Sequence, residues 1–322
     1  MSWRVAARES ARVIILDTIA PVFLVVALGA WLQRSGFVSP GFLKETNRLT
    51  YWVGLPALLF VQLAPALPAI GAMRPTLEVM GIGTVVTLLL AYGVARLLRL
   101  PGAQTGTFVQ GVFRGNLAFV GLPIVFALPD VPVAGSLGLH QAAVIVVAPV
   151  MLLYNVAGVL VLLASQHRLG WRMIPPMLRQ LAVTPPFVAI LAGMWFAVMG
   201  WHLPAVLDRS LNALGEMALP LGLLGVGGSL VSSRLVNDWR LPGLAAVLKA
   251  ALSPLVGWGL GRWWGLDPEL LKLVLIFMAT PTAIISYSMA LELKGDEKLA
   301  AGAIAGSVLT SVVTLSVIVA LG

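Results

Sequence analysis

The run Arg114-Gly115-Asn116-Leu117-Ala118-Phe119-Val120-Gly121-Leu122-Pro123, residues 114–123, interrupts an apolar stretch that would otherwise read as one helix over 104–128. Glycine loosens a helix, and proline lacks the amide hydrogen and crowds the carbonyl one turn back, so the segment predicts a break. The carbonyls freed by a break need partners. Within lipid such a break survives only against protein or beside a watery cavity. A second run, Ala279-Thr280-Pro281-Thr282-Ala283-Ile284-Ile285-Ser286-Tyr287-Ser288, has the same character inside the apolar stretch 268–292.

Working outward, the whole chain has the composition of a membrane protein. Of its 322 residues 59% are hydrophobic and 11% charged, and the mean hydropathy is +0.96. A soluble domain carries about 25% charged residues, so this chain could not cover a water-facing surface. At about 20 apolar residues per span, ten spans can be read: 14–33, 43–64, 76–97, 104–128, 137–164, 185–201, 207–231, 242–263, 268–292 and 298–321. Turn signals such as Arg34-Ser35-Gly36 and Arg99-Leu100-Pro101-Gly102 separate them. The stretch 13–32 after Arg4, Arg8 and Arg12 is long enough to span rather than to be a cleaved signal. Between the fifth and sixth spans, Trp171 to Gln180 reads as a short interfacial helix.

The net charge of +8 comes from dispersed residues, which excludes a nucleic-acid surface and fits membrane orientation instead. Connections 1–2, 3–4, 5–6, 7–8 and 9–10 hold Arg34, Lys44, Arg48, Arg96, Arg99, Arg168, Arg172, Arg179, Arg234, Arg240, Lys294 and Lys298. The opposite side holds Arg74, Arg209, Arg262 and the three N-terminal arginines. Excess Lys and Arg marks the cytoplasmic side, so both termini are expected outside the cytoplasm; the N-terminal arginines argue the other way.

Sliding the chain by 164 positions brings Pro21 onto Pro185, Gly29 onto Gly193, Trp31 onto Trp195, Gly36 onto Gly200, Pro56 onto Pro220 and Phe113 onto Phe277. The same shift lays Asn116 on Thr280 and Pro123 on Tyr287. Residues 1–164 therefore read as a first five-helix repeat, 165–184 as a central cytoplasmic connection and 185–322 as a second repeat. An odd number of spans per copy makes the second copy insert upside down. Inverted repeats whose matching helices are broken at mid-membrane mark the substrate site of secondary transporters, where half-helix N-termini attract anions. The plainer alternative is that these prolines only kink their helices, a reading kept for Pro21, Pro56, Pro149, Pro185 and Pro220.

Ionisable residues inside spans are few. Arg114 could attract an anionic substrate or pair with a buried carboxylate. Glu216, four residues before Pro220, is a candidate proton or cation site or a partner for Arg114. Lys249 lies deep in span 8, although its stem could snorkel. Asp17, Glu78 and Lys272 lie near span ends and read as interfacial anchors. Tyr154 and Asn155 could line a cavity or make packing hydrogen bonds between helices. His140, His167 and His202 are scattered, there is no Cys, and no metal-ligand spacing, nucleophile motif or phosphate loop appears. An enzyme is therefore not expected, nor a metal or organic cofactor.

Gly115-Asn116 with Gly121-Leu122-Pro123 resembles the auxin efflux carrier family of membrane transporters. So do Ala279-Thr280-Pro281-Thr282-Ala283, Ser286-Tyr287-Ser288-Met289-Ala290, Gly295-Asp296, Leu299-Ala300-Ala301 and Thr310-Ser311 with Thr314-Leu315. The likeness spans nearly the whole chain, and its short central connection looks like the bacterial branch. It implies scaffold and transport bundles, with helices 4 and 9 broken and crossing at the substrate site. It also implies small organic anions as substrates, either auxin-like monocarboxylates or malonate- and malate-type dicarboxylates.

The expectation is thus an all-α membrane protein of ten transmembrane helices, built as two inverted five-helix repeats and working by alternating access, in the direction of efflux, in the inner membrane. The substrate would meet Arg114, Asn116, Gly121, Pro123, Asn155, Thr280, Pro281, Thr282, Ser286 and Tyr287, with Glu216 and Lys249 as candidates for coupling to Na+ or H+. Its partners would be a small organic anion, the lipid bilayer and a second copy in a homodimer, with no nucleic acid. Two alternatives stand beside it: a sodium-coupled symporter of larger amphipathic anions, related to the bile-acid/sodium symporters, and a membrane sensor that binds without transporting.

Overall fold

The computed structural model describes residues 2–64, 71–135, 137–166, 185–232 and 238–321. Most of the central connection, with Trp171 to Gln180, His167, Arg168, Arg172 and Arg179, lies outside the described residues, as does Arg234.

Fourteen α-helices are described: α1 (Ser2–Arg34), α2 (Pro40–Leu49), α3 (Leu55–Leu63), α4 (Arg74–Leu97), α5 (Gly102–Phe113), α6 (Leu122–Ala127), α7 (Leu139–Ser165), α8 (Pro185–Met199), α9 (Ala205–Glu216), α10 (Ala218–Ser232), α11 (Arg240–Trp263), α12 (Pro268–Ala279), α13 (Ile285–Glu292) and α14 (Glu297–Leu321). They fall into ten spans: α2 with α3, α5 with α6, α9 with α10, and α12 with α13 are each the two parts of one. Observed ends lie within three residues of the expected ones, except that α1 runs back to Ser2. Gly71–Leu97, Leu139–Ser165, Ala205–Gly228, Arg240–Trp263 and Glu297–Ala320 are each long and apolar enough to cross a membrane unaided. Leu24, Leu89, Leu255, Leu309 and Val313 are among the apolar side chains left exposed on the outer surface, where water would penalise them and lipid does not. The chain is a multi-pass membrane protein.

Two spans share a local device. The turns Thr50–Gly54 and Leu117–Gly121 are widened, with the Leu55 amide donating to the Thr50 carbonyl and the Leu122 amide to the Leu117 carbonyl. Each widened turn is followed by the same tripeptide ending in proline, Gly54-Leu55-Pro56 and Gly121-Leu122-Pro123. Proline has no amide hydrogen, and its ring crowds the carbonyl four residues back, so the helix admits one extra residue. Pro56 therefore does more than kink its span. Where an all-helical chain was expected, the connection after α6 holds a small antiparallel hairpin, β1 (Pro132–Ala134) with β2 (Leu137–Gly138). Asp130 accepts from the His140 amide beneath it at 2.9 Å.

Packing divides the helices into two bundles that cut across the two halves of the sequence. In the first, α1 lies along α10, and α3 along α8 and α9. In the second, α11 sits at the centre against α4, α5, α12 and α14, while α7 packs on α5. The bundles meet where α1 and α10 touch α14, where α3 touches α7, and where Phe119 nestles against Gly222 of α10. A side chain on Gly222 would collide with that ring.

Element lengths recur along the chain. α4 and α11 have 24 residues each and α5 and α12 have 12 each, and each second member begins 166 positions after the first. The turn leaving α4 passes through Arg99 and the one leaving α11 through Gly265, both left-handed. Gly36 and Gly200, likewise left-handed, keep the interval of 164. The interval thus lengthens by two between the first and third spans of each half. At the interval of 166 Asn116 falls on Thr282, where the interval of 164 lays it on Thr280.

Candidate substrate site

Both predicted breaks are present and face each other. α5 stops at Phe113, and Arg114 turns to an extended backbone at φ −85°, ψ 103°. α12 stops at Ala279, and Thr280 turns likewise at φ −56°, ψ 146°. The two extended strands cross as an antiparallel bridge between Gly115 and Thr282. The Asn116 amide donates to the Pro281 carbonyl at 2.8 Å, and the Ala283 amide donates to the Arg114 carbonyl at 3.1 Å. Each break therefore satisfies part of the other's freed backbone, which neither could do alone in lipid. Gly115 permits the approach: a methyl there would overlap Thr280 Oγ1 and come 3.1 Å from the Phe277 carbonyl.

Side chains answer the remaining groups behind the crossing. Thr282 Oγ1 donates to the Gly111 carbonyl at 2.6 Å, and the Thr282 amide donates to Ser307 Oγ at 2.8 Å. Thr280 Oγ1 donates to the Phe277 carbonyl at 2.7 Å. Lys249, fully buried on α11, donates from Nζ to the Met278 carbonyl at 2.7 Å and to Ser253 Oγ at 3.5 Å. Its ammonium replaces the hydrogen-bond partner that the end of α12 loses at the break.

In front of the crossing a cavity of about 80 Å³ opens toward the first bundle. Its polar lining comes from Arg114, Asn116, Tyr154, Asn155 and Tyr51, and its apolar wall includes Leu55, Leu117, Phe119, Met151 and Ile284. Arg114 is only 3% exposed. Its guanidinium donates to Asn155 Oδ1 and to Met289 Sδ, and among the described residues no carboxylate pairs with it. Asn116 Oδ1 accepts from the Phe119 amide at 3.2 Å, which turns Nδ2 away from the helix, and Nδ2 has no partner. The Tyr154 hydroxyl lies near Thr84 and the Gly115 backbone without closing a hydrogen bond to either. A buried cation and the polar residues Asn116 and Tyr154 thus border one space. A buried charge without a counter-charge is costly, and a carboxylate in the cavity would balance that of Arg114.

The other expected site residues are distributed differently. Pro281 and Thr282 build the bridge, while Thr280 and Gly121 pack behind it, where a methyl on Gly121 would come 2.9 Å from the Phe277 ring. Pro123 is buried in α6, and the buried Ser286 Oγ has no partner; neither lines the cavity. Tyr287 is 37% exposed and also outside it. Glu216 is exposed at the end of α9 and makes no ion pair with Arg114. Among the described residues no three of His, Asp and Glu gather as metal ligands. Sequence reasoning missed Tyr51 and Leu55, although Gly54-Leu55-Pro56 repeats the tripeptide that ends the widened turn of the crossing span.

Comparison with known proteins shows the family. A family model described as "Membrane transport protein" matches residues 14–319. An uncharacterized transporter of Methanocaldococcus jannaschii is 21% identical over 304 residues, covering 90% of this chain and 92% of that protein. An uncharacterized transporter of Methanothermobacter thermautotrophicus is 24% identical over 310 residues, covering 93% of this chain and 95% of that one. The chain belongs to the membrane transport protein family, the auxin efflux carrier family that its broken helices resemble.

Proposed function

We propose that the chain is a secondary transporter that carries a small organic anion by alternating access, in the direction of efflux, with the substrate held in the cavity before the crossing. The observation that carries the reading is Arg114: a permanent charge, buried, without a carboxylate among the described residues, and beside the unpaired Asn116 and Tyr154. A bound carboxylate would supply the missing counter-charge through short, charge-assisted hydrogen bonds.

The site lies where the two bundles meet, with Tyr51 and Leu55 contributed by the first and the crossing by the second. Sliding or rocking of one bundle against the other would expose the anion to either side in turn, as inverted repeats of similar energy allow. The recurrence of 24- and 12-residue helices at one interval supports treating the halves as such repeats. In this reading the protein sits in the inner membrane with both termini outside the cytoplasm, as a homodimer. Lys249, directly behind the crossing, is the candidate for coupling to H+ or Na+. Efflux without coupling is also energetically adequate, because 100 mV supplies about 2.3 kcal/mol per elementary charge.

The small cavity favours compact anions over the large amphipathic ones of the symporter alternative. A liposome flux screen of carboxylates, with imposed sodium, proton and voltage gradients, tests the proposal. Saturable flux of a small carboxylate, lost in Arg114→Gln and in Asn116→Ala while both variants stay folded and inserted, is the expected result. Ligand binding without flux would instead identify a sensor.

A further inference from the structure

The cavity before the crossing carries a single permanent charge. Arg114 is the one ionised side chain that lines it, since Lys249 lies behind the crossing and faces the Met278 carbonyl instead. The donors around it can be counted. A guanidinium has five N–H groups; Asn155 and Met289 occupy two of those of Arg114, leaving three. Asn116 and Tyr154 also border the cavity, but Asn116 Nδ2 and the Tyr154 hydroxyl are buried within the protein. A carboxylate offers two oxygens with about four lone-pair sites, enough to take up the three remaining guanidinium N–H groups of Arg114. Tyr51 and Asn155 add neutral polar groups, while the side chains of Leu55, Leu117, Phe119, Met151 and Ile284 offer neither a second cation nor a donor.

We propose that the site selects monovalent carboxylates with a short apolar body and rejects dianions of the same length. This names the substrate class of the site described above and rests on that reading. A monoanion leaves the cavity neutral, with its apolar body against apolar side chains. A second carboxylate would be pressed against that wall with no counter-charge, and an uncompensated buried charge is strongly unfavourable. The volume of about 80 Å³ equals the room of roughly five to eight waters at 10–15 Å³ each. That leaves little space to carry a second head group clear of the wall.

The test is calorimetric titration of the purified full chain at pH 7.5, where both acid classes are fully ionised, in a buffer free of carboxylates. The probes are propanoate and butanoate against malonate and succinate. The monocarboxylates are expected to bind about 100-fold more tightly than the dianions, and a gap below tenfold overturns the proposal. Met151→Lys, or Ile284→Lys should that variant fail to fold, adds a second cation to the apolar wall and is expected to close the gap to within tenfold. A folded lysine variant that still prefers the monocarboxylate by 100-fold also counts against charge matching. Dianions that bind wild type as tightly as monocarboxylates, and lose that binding in Arg114→Gln, would overturn the charge rule while leaving the carboxylate site intact. Binding of neither class overturns both.

Discussion

Arg114 and Lys249 are both buried basic side chains without a carboxylate partner among the described residues, and they lie on opposite sides of one crossing. Lys249 is turned inward, its ammonium spent on the Met278 carbonyl and on Ser253. Arg114 borders a cavity, and its neighbours Asn116 and Tyr154 hold unpaired polar atoms. Burying charge is expensive in either place. Behind the crossing that cost holds broken backbone together; in front it leaves a positive potential ready for an anion. The same residue class thus answers backbone on one side and borders a cavity on the other, and the proposed recognition role of Arg114 rests on that difference.

Substitutions can break this contrast in graded steps. The largest effect is expected from Gly115→Val, whose side chain would overlap Thr280 and separate the two strands. Little folded protein should survive detergent extraction, as size-exclusion chromatography would report. Lys249→Met keeps the volume but leaves the Met278 carbonyl unanswered, which costs about 1–3 kcal/mol. Its melting temperature should fall and remain low after a carboxylate is added. Arg114→Gln should do the reverse, leaving the melting temperature near wild type and removing the stabilisation that added carboxylate gives. The lost charge-assisted hydrogen bonds are worth about 1.5–3 kcal/mol, roughly 10- to 150-fold in affinity at 1.4 kcal/mol per tenfold. If Arg114→Gln unfolds while Lys249→Met keeps its melting temperature but binds carboxylate weakly, the two roles are exchanged. Ser286→Ala should change least: its hydroxyl has no partner and does not line the cavity, so flux and melting temperature within about 0.5 kcal/mol of wild type are expected.

Much of the fold was legible because hydrocarbon punishes broken helices. Gly and Pro stand out against otherwise continuous apolar runs, so the ten spans could be read from those runs and both interruptions from Gly115, Pro123 and Pro281. The constant interval of 164 was less secure. Trp, Pro and Gly matches weight the first spans, and a two-residue lengthening before α11 passes unseen in apolar sequence; at the wider interval Asn116 falls on Thr282 rather than Thr280. Within the site, Arg114, Asn116 and Asn155 were legible as polar groups in apolar surroundings. Thr280, Ser286 and Tyr287 were polar for the same reason, yet they face backbone, interior or the outer surface, because spans apolar on every side give no periodicity to tell a cavity from a seam. Tyr51 and Leu55 escaped because they reach the cavity from span 2, far from either break in sequence. Glu216 looked buried by its position in an apolar run, but α9 ends there and leaves it exposed.

The most direct test of the central claim is a cryo-electron microscopy map of the protein with a transported carboxylate bound. The head group should lie between Arg114, Asn116 and Tyr154, in front of a crossing formed by two broken helices. Density for the ligand elsewhere, or an unbroken helix through Gly115 or Pro281, would contradict the account.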